Sequence, residues 1–334
     1  MIRTGNTRIE SIRARRPLSV RWWALAAVLL LVAGLSACGS SDDDGDGDGS
    51  GAISVTHAKG TAELPGAPER IVAVGSGDVQ IAVALGGDVV GAVANPSAPD
   101  KNWPGTSPAL PASVMSLDSM TPNIEAIAAL RPDVILATTA QQPYIDKYDE
   151  LSHIAPTVVY KTEPFADSGE TLVELIGQAL GKSDAARELI ASSQKKITEF
   201  TAANPKIKGM SYAFGQFAGD QLYLLASEKN PSTRFFASLG MTLDPQVAEL
   251  GAQGTQGGFT VLAPENYTRV SSAQKVLVST PGDEGGKDFS SRPVVASAFG
   301  DHLRVISTDL AGALLTANPA STSYLLEQLR PALA

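Results

Sequence analysis

The sequence predicts an α/β protein of two lobes, each built on a mainly parallel, helix-covered sheet, joined by a single long backbone helix. Three observations carry this. The chain has 334 residues, 43% of them apolar, enough for two domains of ~100–200 residues, each with its own core. Short β-branched runs alternate with helical segments, the pattern of parallel strands covered by helices. The alternation is interrupted once, by helical segments over residues 171–204, and restarts after Pro205.

Ahead of the folded body lies a segment of different composition. Residues 1–37 carry six arginines against one glutamate, and residues 22–35 are uncharged and apolar. A basic stretch, an apolar core and small residues in that order describe a signal peptide. Fourteen helical residues reach about 21 Å, short of a ~30 Å hydrocarbon layer. Leu35-Ser36-Ala37-Cys38 resembles a bacterial lipobox, which makes Cys38 the acylated residue and new N-terminus. Residues 38–52 hold five aspartates and many glycines without periodicity, an acidic, self-repelling tether.

The N-terminal lobe is assigned to residues 53–170. Residues 70–74 (RIVAV) form its first strand, then Gly75-Ser76-Gly77 turns the chain and Asp78 opens a helix as its cap. A strand at 89–93 leads into a proline-rich loop over 95–111 that holds Trp103. A helix over 122–130, a strand at 133–137, a helix ending near 151 and a strand at 157–160 complete the lobe. Residues 171–204 are the linking helices, the second carrying an apolar stripe of Leu189, Ile190, Ile197 and Phe200. The C-terminal lobe, 205–334, places strands at 210–214, 222–226, 275–279 and 303–307, helices at 232–239 and 321–329, and a mobile loop over 282–292.

Several classes of function are excluded. One cysteine forms no intramolecular disulfide. A net charge of −9 disfavours nucleic acid, whose phosphates need clustered Lys and Arg. The third glycine of a dinucleotide G-x-G-x-x-G is replaced by Gln80. Ser192 and Ser193 with Lys195 and Lys196 satisfy S-x-x-K, the pattern of a lipid-anchored acyl-serine hydrolase using Ser192 and Lys195, but neither S-D-N nor K-T-G occurs. His57, His153 and His302 are scattered, without metal-ligand spacing. The reading is therefore no enzyme, no resident metal and no cofactor.

The segment Asn123-Ile-Glu125-Ala-Ile-Ala-Ala-Leu130-Arg-Pro132-Asp133-Val-Ile-Leu resembles a characteristic stretch of the ferric-siderophore and cobalamin substrate-binding proteins of ABC importers. Arg70-Ile-Val-Ala-Val, Leu151-Ser-His-Ile-Ala-Pro156-Thr, Leu239-Gly240 and Pro264-Glu265 follow in the same order, so the resemblance covers roughly residues 68–330. It implies a chelate held in a cleft between the lobes, and a glutamate on each lobe that meets the permease dimer. Glu125 matches the first docking position and Glu265 the second.

Ligands of open α/β sheets sit at the carboxyl ends of strands. The loops there nominate Ser76, Trp103, Gln141, Tyr144, Phe217, Arg234 and Arg292, aromatics for a bulky chelate and arginines for its oxygens. Many relatives carry arginine in the loop after the third strand, where this chain reads Thr-Thr-Ala-Gln141-Gln142. The resemblance thus implies a monomeric, lipid-anchored carrier on the outer face of the bacterial cytoplasmic membrane. Its partners are an Fe(III)-siderophore chelate and an ABC permease; a cobalamin or haem carrier is the alternative within the family.

Overall fold

The computed structural model describes residues 51–334 except Gln256 and Glu284, and these belong to one compact unit. The expected signal peptide, Cys38 and nearly all of the expected tether lie outside the described residues. Among those described, no helix is long and apolar enough to cross a membrane.

A hairpin of β1 (Ile53–His57) and β2 (Gly60–Leu64) precedes the first sheet. That sheet contains β3 (Ile71–Ala73), β4 (Val89–Val93), β5 (Met115–Leu117), β6 (Val134–Ala137) and β7 (Thr157–Val159), in spatial order β5-β4-β3-β6-β7 and parallel throughout. Every residue of β3, β6 and β7 is buried, which is why these strands read as continuous apolar runs rather than alternating ones.

The C-terminal lobe holds β8 (Ser211–Ala218), β9 (Gln221–Leu225), β10 (Thr242–Leu243), β11 (Phe259–Leu262), β12 (Lys275–Ser279) and β13 (Leu303–Ile306). Its order is β11-β9-β8-β12-β13, with β10 paired to the start of β8. This sheet is mixed. Strands β8, β12 and β13 are parallel, whereas β9 runs antiparallel to both of its neighbours, β8 and β11. The cause is a tight hairpin: Gly219 and Asp220 both take positive φ, 55° and 63°, as a two-residue turn between right-twisted strands requires. Side chains alternate between two cores, with Tyr212, Phe214 and Leu277 on one face and Ala213, Val276 and Val278 on the other.

The long helix spans Ser183–Ala203, 21 residues or about 30 Å. Its apolar stripe is divided between the lobes: Leu189 and Ile190 pack against the first core, Ile197 and Phe200 against the second. Two local expectations are corrected. Residues 282–292 include a helix, Lys287–Ser290, whose first-turn N–H groups donate to the Asp283 carboxylate. The helix Ser76–Ala84 has Gly75 as its N-cap and no side-chain cap; Asp78 is fully buried and does other work.

Candidate functional site

The site begins at the turn after β3. A Cβ on Gly75 would lie 2.4 Å from both the Asp78 carboxylate and the Thr139 hydroxyl, and one on Gly77 would lie 2.9 Å from Thr139 Cγ2. Only glycine lets the turn sit against the end of β6. Asp78 then accepts hydrogen bonds from the Thr138 hydroxyl and from the Thr138 and Thr139 N–H groups, stitching the two strand ends together. Burial pushes its carboxyl up to about 6, against the opposing pull of these donors.

Above this floor opens a cavity of about 530 Å³. All five strands of the first sheet deliver residues to it from their carboxyl ends: Ser76 after β3, Asn95 after β4, Met120 after β5, Gln141 after β6 and Phe165 after β7. The second lobe contributes Asn230, Phe259, Asp309 and Leu315. Phe165 holds φ at 56°, the left-handed region that aromatic residues seldom adopt, and such outliers concentrate at ligand sites. Among the described residues Asp309 is the one charged side chain in the lining, and no Lys, Arg or His lines the cavity.

Polar bonds join the lobes beside the cavity. Asn318 Nδ2 donates to Gln80 Oε1 at 2.6 Å, and Gln80 Nε2 donates to the Pro104 carbonyl at 2.6 Å. Ser76 and Thr316 hydroxyls lie 3.4 Å apart. Among the described residues, no three His, Cys, Asp or Glu side chains are grouped to hold a metal ion.

Of the seven nominated ligand residues, Ser76, Trp103 and Gln141 line the cavity. The Trp103 indole N–H donates to the Val93 carbonyl at 2.7 Å, fixing the half-buried ring against the wall. The other four lie elsewhere. Tyr144 is fully buried and its hydroxyl donates to the Asp118 carbonyl at 2.6 Å; burial pushes it up to about 12. Asp118 in turn accepts from the Met120 and Thr121 N–H groups, so Tyr144 supports the cavity rim without lining it. Phe217 packs on Phe289, ring centroids 4.6 Å apart. Arg292 stacks on Phe217 and pairs with Asp220 at 2.7 Å. Arg234 donates to the Lys229 carbonyl and borders a separate cleft of about 40 Å³.

Sequence reasoning missed Met120, Phe165, Phe259 and Asp309. The strand-end rule that nominated Gln141 reaches Phe165 and Asp309 equally well. Phe259 comes from an antiparallel strand, where that rule gives no signal. Ser193 is buried against Thr322, hydroxyls 2.7 Å apart, while Ser192 is exposed and Lys195 faces Glu199 at 3.9 Å. That spacing serves helix packing.

Several residues of the segment 123–133 have a local structural reason. Asn123 caps the helix Ile124–Ala129 by accepting from the Ala126 N–H. Ile127 and Pro132 are buried. Asp133 accepts from the Glu69 and Arg70 N–H groups, and the Arg70 guanidinium donates to the Leu130 and Arg131 carbonyls at the helix end. Glu125 is exposed and makes no hydrogen bond or ion pair among the described residues. Glu265 is likewise exposed, on the 3₁₀ turn Pro264–Val270.

Comparison with known proteins agrees with this architecture. The family model described as periplasmic binding protein matches residues 71–308. The probable siderophore-binding lipoprotein YfiY of Bacillus subtilis is 33% identical over 188 residues, 52% of this chain and 53% of that protein. The chain thus spans about half the length of that curated relative. A periplasmic solute binding protein of Mycobacterium smegmatis superposes with a TM-score of 0.70 at 26% identity, covering 85% of this chain and 98% of the other. PiaA of Streptococcus pneumoniae, solved in complex with ferrichrome, shares the fold with a TM-score of 0.66 at 23% identity over 84% of this chain and 99% of its own. With its two sheets, its linking helix and a family match across both lobes, the chain belongs to the periplasmic binding protein family.

Proposed function

We propose that this protein is an extracytoplasmic, lipid-anchored carrier that captures a ferric siderophore and delivers it to an ABC permease. The observation that carries this reading is the cavity itself. It lies at the carboxyl ends of all five parallel strands of one lobe, is closed by the other lobe, and has about 530 Å³ of space, within the range of small-molecule sites. Its aromatic and aliphatic walls suit the organic backbone of a chelate, whose iron is already fully coordinated and asks for no protein ligand. The similarity to a protein named a probable siderophore-binding lipoprotein supports the same ligand class.

Delivery is assigned to Glu125 and Glu265, because neither carboxylate makes a hydrogen bond or ion pair among the described residues and each is exposed in the first turn of its helical segment. Anchoring is assigned to acylation of Cys38. The protein acts as a monomer and performs no chemistry on its cargo. Thermal unfolding against ferric siderophores, cobalamin and haem tests the reading, since a ligand bound to the folded state raises Tm by mass action. A rise with a ferric siderophore is the expected result; a rise with cobalamin or haem alone would replace it.

A further inference from the structure

The charge of the cavity narrows the ligand class, an inference that rests on the siderophore reading above. Every cation that sequence reasoning offered to the ligand lies elsewhere. Arg292 is held by Asp220 and the Phe217 ring, and Arg234 by the Lys229 carbonyl. Lys229 itself precedes the wall residue Asn230, but its ammonium is 4.0 Å from Glu163 and exposed. Gln256 and Glu284, which lie outside the described residues, carry no positive charge.

What faces the cavity instead is the Asp309 carboxylate, 3.5 Å from the Asn95 amide, among Trp103, Met120, Phe165 and Phe259. Two helices begin at the lining, Ser76–Ala84 and Thr308–Leu315, and each carries an acid in its first turn, Asp78 and Asp309. Those acids offset the positive ends of the helix dipoles. An anion entering this space would exchange water for apolar walls and a like charge, with no cation to compensate.

We propose that the cavity selects ferric chelates without net negative charge, the neutral and cationic hydroxamate class, and rejects anionic catecholate and citrate chelates. In a hydroxamate each donor group neutralises one charge of Fe(III), so three leave the complex neutral and a terminal amine makes it cationic. Aromatic faces at Trp103, Phe165 and Phe259 tolerate that amine, and Asp309 attracts it.

The test is a charge series on one iron-binding skeleton. A linear ferric trihydroxamate with a terminal ammonium is compared with its acetylated, neutral form and its succinylated, anionic form, alongside a ferric tris-catecholate. Titration calorimetry with the full chain in detergent reads the affinities. The cationic form should bind about tenfold tighter than the anionic one, ~1.4 kcal/mol, and the tris-catecholate should bind weakest. Asp309→Asn should bring the cationic and anionic forms within about threefold of each other.

Tightest binding of the tris-catecholate or the succinylated form overturns the inference while leaving the siderophore reading intact. If Arg292→Ala then abolishes that anion preference, the Arg292 guanidinium is the cation that answers the ligand. Absence of binding to every ferric chelate overturns both readings.

Discussion

Replacing Gln80 by methionine removes a two-ended polar clamp while keeping the volume of the side chain. Gln80 is 1% exposed and Asn318 3% exposed. In the variant one Asn318 N–H loses its acceptor, although the other still reaches the Thr316 carbonyl at 2.9 Å. The Pro104 carbonyl loses its donor, but Pro104 is only half-buried, so water partly replaces it. A buried unsatisfied group costs ~1–3 kcal/mol, so the sum is about 3 kcal/mol. At ~2.1 cal/mol/K of unfolding entropy per residue, a chain of this length loses about 5 °C in Tm. Circular dichroism melts and urea titrations of wild type and Gln80→Met measure it. A second variant adds a sign. In Gln80→Glu the carboxyl can donate to Pro104 only when protonated, and burial raises its folded pKa above the unfolded value. Its contribution is therefore present in acid and lost as pH rises, so the deficit against wild type should be larger at about pH 8 than at about pH 5. A loss under about 1 kcal/mol for Gln80→Met, with no pH dependence for Gln80→Glu, would refute the clamp.

Four further outcomes are expected. Asp78 has a folded pKa of about 6, above the ~3.9 of an unfolded aspartate; the associated stability is complete below about pH 4 and falls by roughly 3 kcal/mol as pH rises past 6. Asp78→Asn should lack that slope, and parallel urea midpoints for both proteins from acid to neutral pH would count against it. Trp103 is the only tryptophan among the described residues, so saturable quenching of its emission by a ferric hydroxamate is expected; tight calorimetric binding with unchanged emission would remove the ring from the ligand. Glu125→Ala combined with Glu265→Ala should impair uptake while affinity stays within about threefold, ~0.7 kcal/mol, and a larger loss would tie these residues to the ligand. Cys38→Ala should abolish lipid labelling, and labelling that persists would move the anchor.

Much of the first sheet was legible in the primary structure because its strands are buried on both faces. Continuous apolar runs such as 134–137 mark themselves without tertiary information. The long helix and its stripe were legible for a similar reason, since the 3.6-residue period is a property of the chain. The short strands β5 and β10 and the hairpin of β1 and β2 escaped notice. They have three, two and five residues per strand, too few for a period to emerge, or they alternate with exposed positions that read as loop.

The site divides along a comparable line. Which loops reach the cavity follows from sheet topology, and Ser76, Trp103 and Gln141 were found that way. Which side chains face inward did not follow, because an aromatic or an arginine in the right loop can be spent elsewhere. Tyr144 is consumed holding the Asp118 carbonyl, and Arg292 by Asp220 and Phe217. The order of β-branched runs and helical segments along the chain set its fold class, and composition set its acidic body and its basic N-terminal segment. The sign of the charge facing the ligand was decided in three dimensions, since only packing determines which charges are already neutralised by a neighbour and which remain to meet a guest.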